Sequence, residues 1–439
     1  MRNILIVYHY YGQYPPRATI FDHLYCFERY SAHRCFYLNL ATCNLPRYIK
    51  LIQFDLIVFH TIFLSWRWQS RVDFEKVAKK VNWLKQVDSI KIALPQDEFT
   101  QTDVLCDFIN EFGIDYVFSV APESEWSKIY PTIDVQKVKF FNVLTGYLDE
   151  DTVSRIKVLA KSVQSRPIDI GYRAWGHPPW LGRYGFLKTI IADCVQEKAP
   201  QMGLVTDIST RAEDTFVGDD WYKFLLSCKY TLGVESGAGI LDRDGTIKKK
   251  TNEYLIHHPQ ASFDEVEAAC FPNLDGSLHL FVVSPRHLEA CATRTCQILI
   301  EGTYNGILVA NKHYIQLKRD FSNINQILTL IKQDRLREEI AERAYHEIVG
   351  SGRYTYRGFV EFVLEKSLEY FEPGHVSSIS LSRYRVFYRW NKLIDKLSWI
   401  RVAVHWYCVV QIKLRIRKKL VNIFSEQAVI SVLRRIKQR

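Results

Sequence analysis

Short, unbroken apolar runs recur from Ile4 to Val143 with room for one helix between neighbours, and the same rhythm restarts at Ile168. Ile4–Tyr8, Cys35–Leu40, Leu56–His60, Lys91–Leu94, Tyr116–Val120 and Lys139–Val143 read as strands. Helical patterns at Thr19–Tyr30, Asp73–Val87 and Thr102–Phe112 fall between them. Runs without polar alternation belong to strands covered on both faces, which in turn requires parallel pairing with helical crossovers. The second series is Ile168–Tyr172, Leu204–Asp207, Tyr230–Val234, Leu278–Val283 and Gln297–Glu301, with helices at Tyr184–Lys198, Trp221–Ser227, Thr251–His258 and Phe263–Cys270. Two long helices, Ile324–Val349 and Arg357–Tyr370, close it. The chain of 439 residues is thus expected to be an α/β protein with two doubly wound sheets, joined through a polar helix and loop at 151–166.

Charge separates the body from its end. Arg383–Arg439 holds 15 of the 58 Lys+Arg and 2 of the 48 Asp+Glu, which leaves a near-neutral body. The basic residues there interleave with Trp, Tyr and Phe at partial helical spacing. This end is expected to be a helical basic tail, on an anionic membrane surface or packed on the body. No nucleic-acid motif accompanies it, so no nucleic-acid partner is expected. The ten cysteines form no CxxC pair and sit mostly in apolar runs, which suits reduced thiols in the cytoplasm. The His257-His258 doublet has no ligand at metal spacing, and Asp242-Arg243-Asp244 reads as a turn before Gly245, so no metal and no cofactor is expected.

Several segments carry candidate chemistry. SPRHLEA (284–290) places Glu289 on a helix ahead of a buried strand. Glu301-Gly302 ends that strand, with Gly306 four residues on, a close-approach site or an ordinary turn. GVESGAG (233–239) follows a strand and offers backbone N–H groups, with Glu235, Ser236 and Gly237 as donor contacts or as a glycine-shaped loop. In the first half, Gly12, His60 and the Asp97-Glu98 pair of ALPQDEF follow strands and would face a cleft. Asp97 and His60 are the candidates for acid–base catalysis. The competing readings are a helix cap for the carboxylates and a satisfied core histidine for His60.

The order of SPRHLEA, strand, glycine turn and HYIQLKRD resembles the group 1 type of GT-B glycosyltransferase, among bacterial surface-polysaccharide enzymes, over residues 168–370. That resemblance implies two Rossmann-like domains. Residues 1–150 would bind the acceptor and 167–372 the nucleotide sugar, with 373–439 as the tail. It implies a retaining hexosyltransferase that moves a sugar from a nucleotide donor to a glycan or lipid-linked acceptor. The location implied is cytoplasmic, peripheral on the inner face of the cell membrane. Glu289 would accept the ribose hydroxyls, or else pair locally with Arg286 as a helix-terminal carboxylate. Arg173, Arg183 and Lys188 of GYRAWGHPPWLGRYGFLK would neutralise the leaving diphosphate, and Arg286 is a further donor-binding candidate. The family's second glutamate, eight positions before Glu289, is here Phe281. A nucleotide-sugar epimerase of the same fold and a non-catalytic sugar-nucleotide-binding adaptor are the competing functions.

Overall fold

The computed structural model describes residues 1–42, 45–162, 165–369 and 381–412. Of the expected tail, 373–380 and 413–439 lie outside the described residues.

The first domain is a six-stranded parallel sheet. Its strands are β1 (Asn3–Tyr8), β2 (Arg34–Asn39), β3 (Leu56–Phe59), β4 (Ile90–Ala93), β5 (Tyr116–Ser119) and β6 (Lys139–Asn142), in the order β2-β1-β3-β4-β5-β6. Ile4 pairs with Cys35 on one side and Leu56 on the other. Every residue of β1 is buried, as its unbroken apolar run requires. The second domain holds β7 (Ile168–Arg173), β8 (Thr206–Ser209), β9 (Cys228–Gly233), β12 (Cys296–Ile300) and β13 (Ile315–Leu317), all parallel, in the order β13-β12-β9-β7-β8. Between β9 and β12 lies a separate antiparallel pair, β10 (Ser236–Ala238) and β11 (Leu280–Val282). Two doubly wound parallel sheets in one chain meet the GT-B expectation for the fold.

Several boundaries differ from the sequence reading. The expected helix Asp73–Val87 is a helix at Arg71–Ala78, capped by the Ser70 side chain, followed by tighter turns over Lys79–Gln86. Ile324–Val349 divides into Ile324–Leu330 and Asp334–Ala344. The apolar run at Leu278–Val283 does not join the main sheet. It supplies β11, and the residues between β10 and β11 form an excursion with helices Thr246–His257 and Phe263–Cys270 around a small core of Ile240, Val266, Cys270 and Phe271.

This excursion is stitched to the first domain. The Asp242 N–H donates to Phe99 O (2.7 Å), Gln101 N–H to Asp242 O (2.8 Å) and Asp103 N–H to Arg243 O (3.0 Å). The Asp242 carboxylate accepts from the backbone of Ile247 and Lys248, at 3.0 Å each. The turn expected at 242–244 therefore also starts a helix and joins two domains.

The C-terminal boundary also moves. Tyr356–Leu368, assigned to the second half on its sequence position, packs on Ala18–Tyr30, and Tyr356, Phe359 and Val360 share a core with Ile4 and Ile6. The helix Leu381–His405 then runs along β2. Asn391 receives the Tyr37 N–H (2.8 Å) and donates to the Tyr37 carbonyl (2.9 Å), as a neighbouring strand would. Asp395 accepts from the Tyr8 and Tyr25 hydroxyls, and Ser398 from Asn39. Over Leu381–His405 the tail expected on a membrane surface or on the body is thus packed on the first domain. Among the described residues no helix is long and apolar enough to cross a membrane.

Candidate functional site

In an open parallel sheet, ligands bind beyond the carboxyl ends of the strands, where the strand order reverses direction. In the second sheet the chain runs from β7 out to β8 and returns to β9 on the other side. A cavity of about 320 Å³ opens at this point. Its walls come from the ends of β7 (Tyr172–Trp175) and β9 (Thr231–Val234) and the start of the helix Pro285–Ala292. The first domain closes it with Arg17, Ala18 and Thr19, from the loop after β1 and the helix that follows.

Three cations meet there. Arg17 lies over the Trp175 ring, 4.4 Å from its centroid. Arg286 lies over Trp221 at 5.3 Å and donates to the Arg173 carbonyl. The Lys188 ammonium donates to His177 Nε2 (3.0 Å), while His177 Nδ1 sits 2.8 Å from the Trp175 carbonyl and donates to it. That tautomer keeps His177 neutral. Burial, and then Lys188, hold its pKa down at about 4. Among the described residues, none of the three cations is in a salt bridge with a carboxylate. Burial and the Arg286 charge lower Lys188 to about 8, against the pull of Asp97, and the same two causes lower Arg17. Positive charge at low dielectric that has no salt-bridge partner among the described residues and is opposed only at longer range by Glu289 and Asp97 is a ready site for an anion.

Arg173 lines the same cavity with its charge already matched. It donates to Asp207 Oδ1 (2.7 Å) and to the Asp207 carbonyl (2.9 Å), and lies over Phe224 and Phe216. Glu289 faces the cavity one turn into the helix Pro285–Ala292 and is 7% exposed. Its Oε2 accepts from the Trp221 indole (2.8 Å). Burial raises its pKa, opposed by Trp221 and Arg286. His287 holds the helix start, since its Nδ1 accepts the Ser284 N–H (3.0 Å) in the place a glutamate takes in a capping box. Burial lowers its pKa to about 3.

Asp97 comes from the first domain, just after β4. Water reaches its side chain, yet protein surrounds it widely enough that desolvation raises its pKa, with Arg67 and Lys188 opposing. Asp97 is within electrostatic reach of Lys188 without lining the cavity. The Asp97 backbone is left-handed, with φ 54°. A non-glycine residue holds that conformation only where its surroundings impose it. Here the fully buried Arg67 donates to the carbonyls of Leu64 (2.8 Å), Gln96 (3.1 Å) and Asp97 (2.9 Å). On the other side Glu98 is sealed by Ser119, Tyr130 and the backbone of Val120 and Ala121.

Of the residues singled out from sequence, the cavity therefore gathers Arg173, Lys188, Ser236, Arg286 and Glu289, with Asp97 outside its lining. Five others stand elsewhere. His60 is fully enclosed, with Nδ1 accepting from Ile62 N–H and Nε2 2.7 Å from His23. Burial holds it neutral, and no substrate can reach it. Arg183 points outward to Asp264, Glu267 and Asp275 of the excursion. Glu235 is saturated by Tyr184, Thr303 and the Tyr304 N–H, which folds the Gly302–Tyr304 loop onto it. Glu301 ends β12 exposed, outside the cavity wall. Gly237 serves strand pairing: at φ 127°, a Cβ there would come within 1.7 Å of the Leu280 carbonyl oxygen. The expected glycine turn is therefore the strand β10.

Arg17, Trp175, His177 and Trp221 were not singled out from sequence. The signal for Arg17 was its place after Pro15-Pro16 in the first strand-to-helix loop, where a cleft-facing residue belongs. Among the described residues, no group of three or more His, Cys, Asp or Glu side chains is placed to hold a metal ion.

No known protein family and no curated protein matches the chain in sequence. Solved structures similar to it include the Anabaena protein HepE in complex with UDP-glucose, 10% identical over 83% of this chain and 100% of that one, with a TM-score of 0.43. Sucrose-phosphate synthase from Thermosynechococcus elongatus is 10% identical over 84% of this chain and 99% of that one, with a TM-score of 0.44. A glycosyltransferase from Rickettsia africae is 11% identical over 84% and 98%, with a TM-score of 0.42.

Proposed function

We propose that the chain is a glycosyltransferase that takes its sugar from a nucleoside-diphosphate donor bound in this cavity. The observation that carries the reading is the meeting of Arg17, Lys188 and Arg286 at the strand reversal of the second sheet, with no carboxylate among the described residues in salt bridge with any of them. Breaking the bond between sugar and diphosphate leaves negative charge on the phosphate oxygens, and fixed cations stabilise that charge as it develops. Arg173, with its charge matched to Asp207, shapes the wall. Glu289 is the acceptor for the ribose hydroxyls, and Trp221 fixes its orientation. Asp97 orients the acceptor hydroxyl or takes its proton. The acceptor is a glycan or lipid-linked saccharide of surface polysaccharide, the transferred group a hexose, and the configuration retained. The protein works from the cytoplasmic side.

A thermal-shift series with UDP, GDP, ADP and CMP and their sugars tests the reading, because a ligand bound only by the folded state raises the midpoint. One nucleotide should raise it by several degrees, and Glu289→Gln should weaken that response. Asp97→Asn should cut donor turnover about 100-fold with little change in donor affinity. Absence of any nucleotide response, or an Asp97→Asn variant with full turnover, overturns the proposal. Interconversion of donor sugars without an acceptor would instead identify an epimerase.

A further inference from the structure

The helix Leu381–His405 has a mixed inner face, where Tyr384, Trp399 and Val402 are buried beside polar side chains, and carries a second set of apolar residues outward. Asn391, Asp395 and Ser398 are buried against the first domain. Val386, Trp390, Leu393, Leu397, Ile400 and Val404 are each about half exposed. Their spacing alternates between four and three residues, so they form one outward stripe. Tyr407 continues it, for a length of about 32 Å. A stripe of this size exceeds the scattered apolar residues a soluble surface normally shows.

The charges beside the stripe have one sign. Arg385, Arg389 and Lys396 follow one flank, and Arg383 and Arg401 the other, while Lys392 turns to Glu28 of the first domain. The helix's one acid, Asp395, faces inward. Two copies paired across the stripe would set basic flank against basic flank. An anionic bilayer sets those flanks against phosphates and takes the apolar stripe into its interface.

We propose that this outward face is a docking surface for an anionic lipid bilayer. It deepens the transferase reading on its acceptor side. The helix end reaches the loop after β1: His405 stacks on Tyr11 with ring centroids 4.2 Å apart, and Tyr407 meets Tyr14 edge-on at 6.3 Å. That loop continues to Arg17 in the cavity wall. Docking by this face sets the Tyr11–Arg17 loop at the membrane, where a lipid-linked acceptor would arrive.

The test is flotation of the full chain with phosphatidylcholine vesicles, with and without about one third phosphatidylglycerol. The wild type should float with the anionic vesicles alone. The triple variant Trp390→Ser, Leu393→Ser, Leu397→Ser should bind them about tenfold less or worse. Its melting temperature and nucleotide response should stay those of the wild type, which shows the fold and the donor site intact. Arg385→Gln with Arg389→Gln and Lys396→Gln should shift binding the same way. Three results overturn the proposal: unchanged vesicle binding by the triple serine variant, equal binding to neutral vesicles, or no vesicle binding with a dimer that the serine variant abolishes. Vesicle binding is read without donor, so its failure leaves the transferase proposal standing, and absence of a nucleotide response leaves this one.

Discussion

Arg67 is the residue whose removal best separates chemistry from binding. It is fully buried, and its three hydrogen bonds run to the carbonyls of Leu64, Gln96 and Asp97. A bond from a charged donor contributes roughly 1.5–3 kcal/mol, so losing three removes about 6 kcal/mol. Relief from burying a guanidinium offsets several kcal/mol of that. Arg67→Met should therefore destabilise the fold by a net ~2–3 kcal/mol and lower the melting temperature by about 5–10 °C in a domain of this size. The consequence for turnover is larger. The left-handed backbone of Asp97 costs roughly 1–2 kcal/mol by itself, and without Arg67 the loop can relax to negative φ. A displacement near 1 Å of a reacting group costs about 100-fold in rate. Donor affinity resides in the cations of the cavity and should change by less than about twofold. Steady-state turnover, a nucleotide titration and a thermal melt measure all three. Arg67→Lys, which retains donors, should recover part of the rate. A variant that melts early yet keeps its rate within about threefold would refute the positioning argument. So would a donor affinity that falls as far as the rate.

Two further outcomes follow from groups already described. Lys188 is depressed to about 8 by burial and by Arg286, so in the free protein it loses its proton as pH rises through that value. Nucleoside-diphosphate affinity, followed by calorimetry, should fall between about pH 7 and pH 9, and Lys188→Arg should flatten the dependence because a guanidinium stays charged. The unfolded chain holds that proton to higher pH, so this group's contribution makes folding more favourable as pH climbs from about 8 toward 10. Asp242→Ala removes both carboxylate contacts at the start of Thr246–His257. It should cost about 1–2 kcal/mol in a urea melt and speed proteolysis within the excursion before the sheets open. Equal cleavage rates would show that the backbone stitches alone secure it.

The strands were legible because parallel sheets covered on both faces need unbroken apolar runs, and Ile4–Tyr8 or Tyr116–Val120 have no other stable use. Glu289, Arg286 and Lys188 were legible because strand ends and the helices after them define where a ligand sits. Arg17 was not, since its partners across the cavity are about 160–270 residues away and only the facing of the two sheets brings them together. His60 and Glu235 show the opposite failure. Each follows a strand as a site residue would, but whether a side chain meets solvent or a ring of hydrogen-bond donors depends on packing. Leu278–Val283 reads as a sheet strand because an apolar run says nothing about its partner. Sequence left the helix from Leu381 open between a membrane surface and the body, because its inner face mixes polar anchors with Tyr384, Trp399 and Val402 and other apolar residues point outward.

The return of the last helices to the first sheet has a consequence for biosynthesis. Tyr8 is bonded to Asp395 across 387 positions of sequence, and Tyr37 to Asn391 across 354. At roughly 5–20 residues per second, translation separates such partners by some tens of seconds. The domain that emerges from the ribosome first is then the one completed last. While it waits, the β2 edge and the helix Ala18–Tyr30 face solvent without their covers, a period in which unpaired strands attract chaperones or each other. The second sheet, whose strands lie between Ile168 and Leu317, can close before the chain is released. A ribosome stalled near residue 390 should therefore carry a protease-resistant second domain and a cleavable first one.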